Sequence, residues 1–377
     1  MSQTQPPRRR RLSREVAIGP LVIGGDHPVR VQSMTATDTA DVQTTVAQIK
    51  ALAGAGCEIV RLTVDTPRAA RALPQIRARC NGVPLVADIH FNHKMALEAA
   101  PYVDKLRINP GNIGEAEHIR AVVDRANEFD LPIRVGVNQG SLERDIALKY
   151  GARADGPHLL PPEPGYPAEA LVESALRNIE LLEGFGFRRT IISVKSSDVP
   201  LMVRANRMLA EACDYPLHLG VTEAGTVESS NIKSSVGIGA LLLEGIGDTV
   251  RVSIAARQTT EKIEEVRTGF RILQAAGLRQ YGVEVISCPT CGRESQRFDT
   301  AYIARMIEKL TERVKTPVRV AVMGCAVNGP GEAAEADIGV VAAGDHAHIY
   351  RRGEIVERQV PFEEVLRTVT HMIDTHT

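Results

Sequence analysis

Three cysteines near the end of the chain are spaced as ligands. Cys288 and Cys291 form a CxxC within SCPTCGR, and Cys325 follows in MGCAVNGPGEA. A CxxC brings two thiolates onto one inorganic centre from a single tight turn. The Gly-Pro turn after Cys325 lets backbone approach that centre closely. Three thiolates fall one short of a closed four-Cys site. Structural zinc would need another Cys or a His, and the nearest downstream histidines, His346 and His348, lie beyond an expected strand. A 4Fe-4S cluster tolerates three thiolates because its fourth iron can take an oxygen ligand. Glu332, just past the turn, is the candidate for that ligand. Zinc and free thiols stay open as alternatives. Cys57, Cys80 and Cys213 lie singly and read as small core residues.

A second group of residues closes short β-branched runs. Polar side chains there fall two or four positions apart, hence on one strand face. Arg61, Thr63 and Asp65 follow this pattern, as do Asp88 with His90, Arg107 with Asn109, Arg134 with Asn138, and Arg251 with Ser253. Lys195 and Glu223 close two more runs. Five cations from five strands, with Asp65, Asp88 and Glu223 as local counter-charges, leave an excess of positive charge at one end of a sheet. Burying it without a partner is expensive. The economical occupant is a small polyanion, a diphosphate rather than a single carboxylate, held by bidentate Arg and point-charge Lys. Glu223, in GVTEAGT, is the better proton donor, because substrate and walls can raise its pKa. His90 is either a general acid or a hydrogen-bonded strand-end residue. No Walker loop or GxGxxG follows a strand, so nucleotide cradling is unsupported.

These strand ends need a scaffold to gather them. Eight runs, at 29–34, 58–64, 84–89, 105–109, 133–138, 190–194, 217–221 and 249–254, alternate with helical patterns such as 42–55, 67–78, 115–128, 168–184 and 199–212. That is the arithmetic of a (β/α)8 TIM-like barrel, with chemistry at the C-terminal strand ends. The connection 139–167, with a short helix at 142–150 followed by DGPHLLPPEPGYP, is long for its place. It reads as a lid or wall beside the site, or as an excursion without function. A helix at 261–276 and a break at 277–282 precede a small α+β domain. Its expected elements are strands at 283–286, 318–322 and 338–341, a helix at 300–314, a hairpin and a closing helix at 362–375. The expected domains are a flexible basic tail over 1–19, a substrate-binding barrel over 20–278 and a cluster domain over 279–377.

Composition agrees with this scaffold. Of 377 residues 44% are hydrophobic but only 4% aromatic, with no Trp, so the core is built of Val, Ile, Leu and Ala, as in parallel strands covered by helices. Lys plus Arg number 45 against 46 Asp plus Glu, a net charge of −1 that argues against nucleic-acid or membrane affinity over the whole surface. No apolar run of about 18 residues suggests a transmembrane helix. The start, MSQTQPPRRRRLSREVAIGP, lacks the apolar core of a secretory signal, so a cytoplasmic location is expected. Its arginines read as a solvated tail.

SCPTCGR and MGCAVNGPGEA, preceded by VQSMT, ADIHF, LRINPGN, RVGVNQGSL, SVKSSD and GVTEAG, together resemble the bacterial 4-hydroxy-3-methylbut-2-enyl diphosphate synthases of the methylerythritol phosphate route to isoprenoids. The likeness covers residues 20–375 or so. It implies reductive opening and dehydration of 2-C-methyl-D-erythritol 2,4-cyclodiphosphate, with two electrons passing through a 4Fe-4S cluster. Cys288, Cys291, Cys325 and Glu332 would then be the cluster ligands. Arg61, Arg107, Arg134, Lys195, Arg251 and Ser253 would hold the cyclic diphosphate, and Asp88, His90, Asn109 and Asn138 would line the pocket. Glu223 would assist proton delivery. The resemblance also implies flavodoxin or ferredoxin as electron donor, and a homodimer whose cluster domain caps the partner's barrel. Two other readings use the same residues. One is a phosphosugar aldolase or isomerase barrel with a zinc-stabilised appendage; the other is a metal-dependent binding module with an inert barrel.

Overall fold

The computed structural model describes residues 10–155, 158–163, 165–295, 297–327 and 329–376. The chain divides into two compact units, with the boundary between Arg279 and Gln280.

In the first unit, β1 (Val16–Ile18) and β2 (Leu21–Ile23) make a hairpin whose turn includes Gly19 at φ +55°. Its Val16, Ile18 and Ile23 pack on Ile59, Val86 and Ile191, an apolar plug in the lower barrel. The barrel strands are β3 (Arg30–Met34), β4 (Ile59–Thr63), β5 (Leu85–Asp88), β6 (Lys105–Ile108) and β7 (Ile133–Asn138). After β7 the chain leaves the barrel for a short helix, Arg144–Lys149, and an antiparallel hairpin of β8 (Arg153–Asp155) and β9 (His158–Leu160). The barrel resumes with β10 (Thr190–Lys195), β11 (His218–Leu219) and β12 (Thr249–Val250).

The spatial order is β10-β7-β6-β5-β4-β3-β12-β11, all parallel. A single parallel bridge, Ile192 to Leu217, joins the two edges, so the eight strands form a nearly closed barrel. The covering helices start where their sequences dictate. Asp41, Thr66 and Asp198 each cap a helix by accepting from a backbone N–H of its first turn. The runs at 217–221 and 249–254 pair over only two residues each. Beyond them Gly220 and left-handed Glu223 (φ +51°) turn the chain, although Arg251 N still donates to Leu219 O at 3.0 Å.

The basic N-terminal segment differs from the expected solvated tail. Residues 1–9 lie outside the described residues, but from Arg10 onward the segment is docked on the barrel. Arg10 donates to Asp248 Oδ1 at 2.9 Å, and Arg11 donates to the carbonyls of Ala210, Cys213 and Tyr215 at 3.3, 3.2 and 3.1 Å. Arg14 pairs with Asp214 at 2.7 Å and lies over the Tyr215 ring. Carbonyls left over at the end of helix Val199–Ala212 and the buried Asp248 carboxylate supply the acceptors that charge-counting could not foresee.

The second unit is a five-stranded sheet. β13 (Val283–Ser287), β14 (Val318–Met323) and β15 (Ile338–Ala343) are parallel, while β16 (His346–Arg351) and β17 (Glu354–Pro361) return antiparallel. Helices Thr300–Leu310 and Phe362–Asp374 contribute Ile303, Ile307, Val365, Val369 and Ile373 to its main core. The first ends before the expected 314. A second, smaller cluster includes Ala333 of helix Gly329–Ala334 with Met323, Val341 and Tyr350. Among the described residues no helix is long and apolar enough to cross a membrane.

Candidate active site

Parallel strands end together at one rim, and their alternation turns every second side chain inward. Arg61, Asp88, His90, Arg107, Arg134, Asn138, Lys195, Arg251 and Ser253 accordingly line one cavity of about 110 Å3, with Ser193, Thr222 and Gly136. These are nine of the ten barrel residues assigned to substrate on sequence grounds. Asn109 is buried beyond β6 but outside that lining. Glu223 is exposed and lines a neighbouring cavity of about 490 Å3, which shares Asn138 and Thr222 with the first. Leu142, Ala147, Leu159, Pro161 and Tyr166 of the excursion after β7 wall this second cavity, so the excursion does stand beside the site.

The charges are not mutually cancelled. Asp88 faces two of the cations, accepting from Arg107 Nη1 at 3.0 Å and lying 3.7 Å from Arg61 Nε. Burial alone would raise its carboxyl, but Arg61, the His90 hydrogen bond, Arg107 and Arg134 together hold it well below the usual carboxylate range. Arg107 also contacts the His90 ring. Arg61 is lowered by burial to about 10 and remains charged at neutral pH. Arg134 is 2% exposed, and among the described residues its Nε and Nη1 have no partner; Arg107 Nε and Arg251 Nε are likewise buried donors without one. Buried donors left unmet are costly, and an anion with several acceptor oxygens would satisfy them.

Two glycines make room for this crowding. A Cβ at Gly136 would lie 2.6 Å from Arg107 Nε, and one at Gly220 would lie 2.6 Å from Arg251 O and 2.8 Å from Lys195 Nζ.

Sequence reasoning placed the counter-charges only in part. Asp65 is exposed and away from the cavity lining. The acid it missed is Glu265 of helix Thr259–Ala275, fully buried behind β3. Glu265 lies 3.4 Å from Arg251 Nη2, takes Lys262 Nζ at 2.8 Å and Ser33 Oγ at 2.8 Å, and accepts from Ile254 N at 3.0 Å. The signal was the spacing of Lys262 and Glu265, a charged pair at i,i+3 flanked by the apolar Val266 and Phe270 that mark the inward helix face. Lys105 and His218, both fully buried, were also missed.

In the second unit, Cys288 follows β13 and Cys325 follows β14. With Cys291, Arg293, Met323 and Gly329 they line one cavity of about 120 Å3. Gly324 N donates to Cys288 Sγ at 3.3 Å, and backbone and side-chain bonding from Arg293 lowers the Cys291 thiol. Gly329 fits because any Cβ would meet Val341 Cγ1 at 2.3 Å. Glu332 is exposed in the first turn of helix Gly329–Ala334 and does not line the cavity. Among the described residues no three His, Cys, Asp or Glu side chains converge as a single metal ion requires. Three thiols around a common cavity are a donor set that fits an iron-sulfur core. Cys57 and Cys80 are buried as expected, and burial pushes the Cys57 thiol up to about 12.

Both units match known sequences. The model of the GcpE TIM-barrel domain matches residues 13–270, and that of the GcpE protein C-terminal domain matches residues 284–375. The chain is similar to three proteins described as 4-hydroxy-3-methylbut-2-en-1-yl diphosphate synthase (flavodoxin). That of Caldanaerobacter subterraneus subsp. tengcongensis is 49% identical, over 97% of this chain and 98% of its own. That of Geobacillus kaustophilus is 49% identical over 96% and 91%, and that of Haemophilus influenzae (strain Rd) 48% over 97% and 94%. A barrel with a cationic mouth, followed by a three-thiol α+β unit and matched from end to end, leaves one assignment: the chain belongs to the GcpE family.

Proposed function

We propose that the chain is a 4-hydroxy-3-methylbut-2-en-1-yl diphosphate synthase, an iron-sulfur oxidoreductase that reductively opens 2-C-methyl-D-erythritol 2,4-cyclodiphosphate. The net change takes the cyclodiphosphate dianion, two electrons and one proton to the allylic diphosphate trianion and water. The observation that carries this reading is the cavity whose buried guanidinium donors lack partners among the described residues.

Arg61, Arg107, Arg134, Lys195 and Arg251 grip the diphosphate and stabilise the charge that localises on it as the ring opens. Ser253 and Asn138 complete its polar surroundings, and Asp88 positions Arg107 and Arg61, with Arg107 Nε left for substrate among the described residues. His90 touches Arg107 and orients it. Glu223, on the larger cavity beside the diphosphate pocket, delivers the proton to the departing hydroxyl. Cys288, Cys291 and Cys325 would hold a 4Fe-4S cluster, with Glu332, which stands outside their cavity in this structure, as the candidate oxygen ligand. When bound, that cluster supplies the two electrons, taken singly from flavodoxin or ferredoxin. The excursion wall of Leu159, Pro161 and Tyr166 limits water at the reacting carbons. A homodimer is the form in which we expect the enzyme to work.

Anaerobic purification should yield a brown protein with about four iron and four sulfide. It should turn over the cyclodiphosphate with dithionite or reduced flavodoxin. Iron-loaded protein that leaves the cyclodiphosphate unchanged, or colourless iron-free protein that converts it, would overturn the reading.

A further inference from the structure

Beneath the diphosphate cavity the barrel interior carries a second polar layer where aliphatic residues ordinarily stack. Lys105, at the start of β6, is wholly buried, and its amine reaches across the interior to Gln32 Oε1 of β3 at 3.2 Å. His218 of β11 bonds Thr249 of β12 at 2.7 Å in the same interior. Lys195, on β10, stands in the cavity wall itself and is 7% exposed.

Neither amine has a carboxylate partner among the described residues. The cations that bear on them are Arg134 of β7 and Arg61 of β4, joined for Lys195 by Arg251, just past β12, and Arg107 of β6. The two buried acids of the site are already engaged, Asp88 of β5 with Arg61 and Arg107, and Glu265 with Arg251 and Lys262. His218 sits among the same cations, and burial with their repulsion keeps its ring neutral. His90, Glu223 and Tyr166, whose phenol burial raises, are the remaining titratable groups lining the two cavities.

A buried amine surrounded by guanidinium groups and lacking a counter-charge favours its neutral form, and a dianion placed in the cavity reverses that preference. We propose that the diphosphate of the substrate enters the barrel together with a proton, taken up from water by the interior amines Lys195 and Lys105. This inference rests on the substrate reading above and goes beyond it. Burial, then the neighbouring guanidinium charges, hold both amines well below the ordinary lysine range in the free protein. The cyclic diphosphate carries one strongly acidic hydrogen on each phosphoryl group, so it is a dianion across the neutral range and exchanges no proton itself. The proton therefore goes from solvent to an amine; an ammonium forms and no electron moves. Turnover converts a dianion into a trianion, and the ammonium formed on binding is in place to hold the added charge. Lys105 acts here as a positioning residue, one layer beneath the groups that touch substrate.

The test is calorimetric titration of oxidised holoenzyme, prepared anaerobically without reductant, with the cyclodiphosphate. Buffers of different ionisation enthalpy would span pH 7.5–9.5, above the histidine range near about 6.5. The expected result is uptake of about half a proton or more at its maximum, with affinity falling about threefold per pH unit there, as linkage requires. The sign follows from amines lowered in the free state and raised by the dianion: uptake vanishes below the free-state pKa and again above the bound-state one. Lys195→Arg, already charged, and Lys105→Met should each reduce the uptake, and the double variant should abolish it. Lys105→Gln serves as the milder second variant at that site. Binding without proton uptake over the whole range overturns the inference, as does a double variant that takes up as much as wild type. Failure of the cyclodiphosphate to bind at all overturns instead the functional reading on which it rests.

Discussion

Arg134 is the residue on which the site's chemistry is most concentrated: 2% exposed, with Nε and Nη1 unmet among the described residues. Its replacement by Ala should raise KM for the cyclodiphosphate and lower kcat/KM by about a hundredfold, near 3 kcal/mol of charge-assisted hydrogen bonding, as steady-state kinetics will read. Arg134→Lys should recover only part of this, because an ammonium cannot reproduce the guanidinium fork. Asp88 makes the complementary case through pH. Its carboxyl is lowered in the folded state, so the stability it contributes is complete above the unfolded value near about 3.9 and is lost as pH falls towards the folded one. The stability difference between wild type and Asp88→Asn should shrink between about pH 5 and pH 2 in denaturant unfolding. A difference that stays constant through that range would mean that Asp88 is not held ionised by its neighbours. Cation types and their period-two spacing were legible in the sequence. The partner of Arg251 was not, because Glu265 comes from a helix and meets the strand end only through packing.

At the scale of elements, strands present the site and glycines give it room. Gly136 on β7 has no Cβ to strike Arg107 Nε at 2.6 Å. Gly136→Ala should therefore misplace a cation without removing one, lowering kcat/KM about ten- to a hundredfold while iron content stays at the wild-type level. An unchanged KM and kcat would show that Arg107 can shift without loss. The N-terminal segment tests a different element. Arg11 satisfies three carbonyls at the end of helix Val199–Ala212, so Arg11→Ala should cost about 1–2 kcal/mol in chemical denaturation and leave KM untouched. Helix and strand periodicity announced the eight barrel strands and several long helices, down to the closing helix Phe362–Asp374, but not the hairpins β1–β2 and β8–β9 or helix Val227–Leu243. The docking of the arginines was hidden, because a run of like charges reads as solvated until a helix end offers it acceptors.

For the whole molecule, two units with separate cores divide the labour, the barrel carrying the cation-lined pocket and the α+β unit the three thiols. Cys325→Ser should abolish iron-sulfur absorbance and turnover, while calorimetry still finds cyclodiphosphate binding within about tenfold of wild type, since the residues proposed to grip the phosphates all lie in the barrel. Loss of binding together with the cluster would show that the two functions are not separable. The near-neutral total charge hides this division, because carboxylates elsewhere on the surface balance the cations gathered at one rim. The sequence by itself determined the alternation of eight strands with helices, the five strand-end cations and the three-thiol motif, since each is written in local spacing of two, three or four residues. Only the tertiary structure decided which groups lie inside. The period that joins Arg107 to Asn109 also reaches back to Lys105, but a strand's first residue faces solvent or core according to how far the barrel continues below it. Closure of eight strands over an apolar plug puts Lys105, His218 and Gln32 in the interior, where burial and neighbouring charge set their protonation.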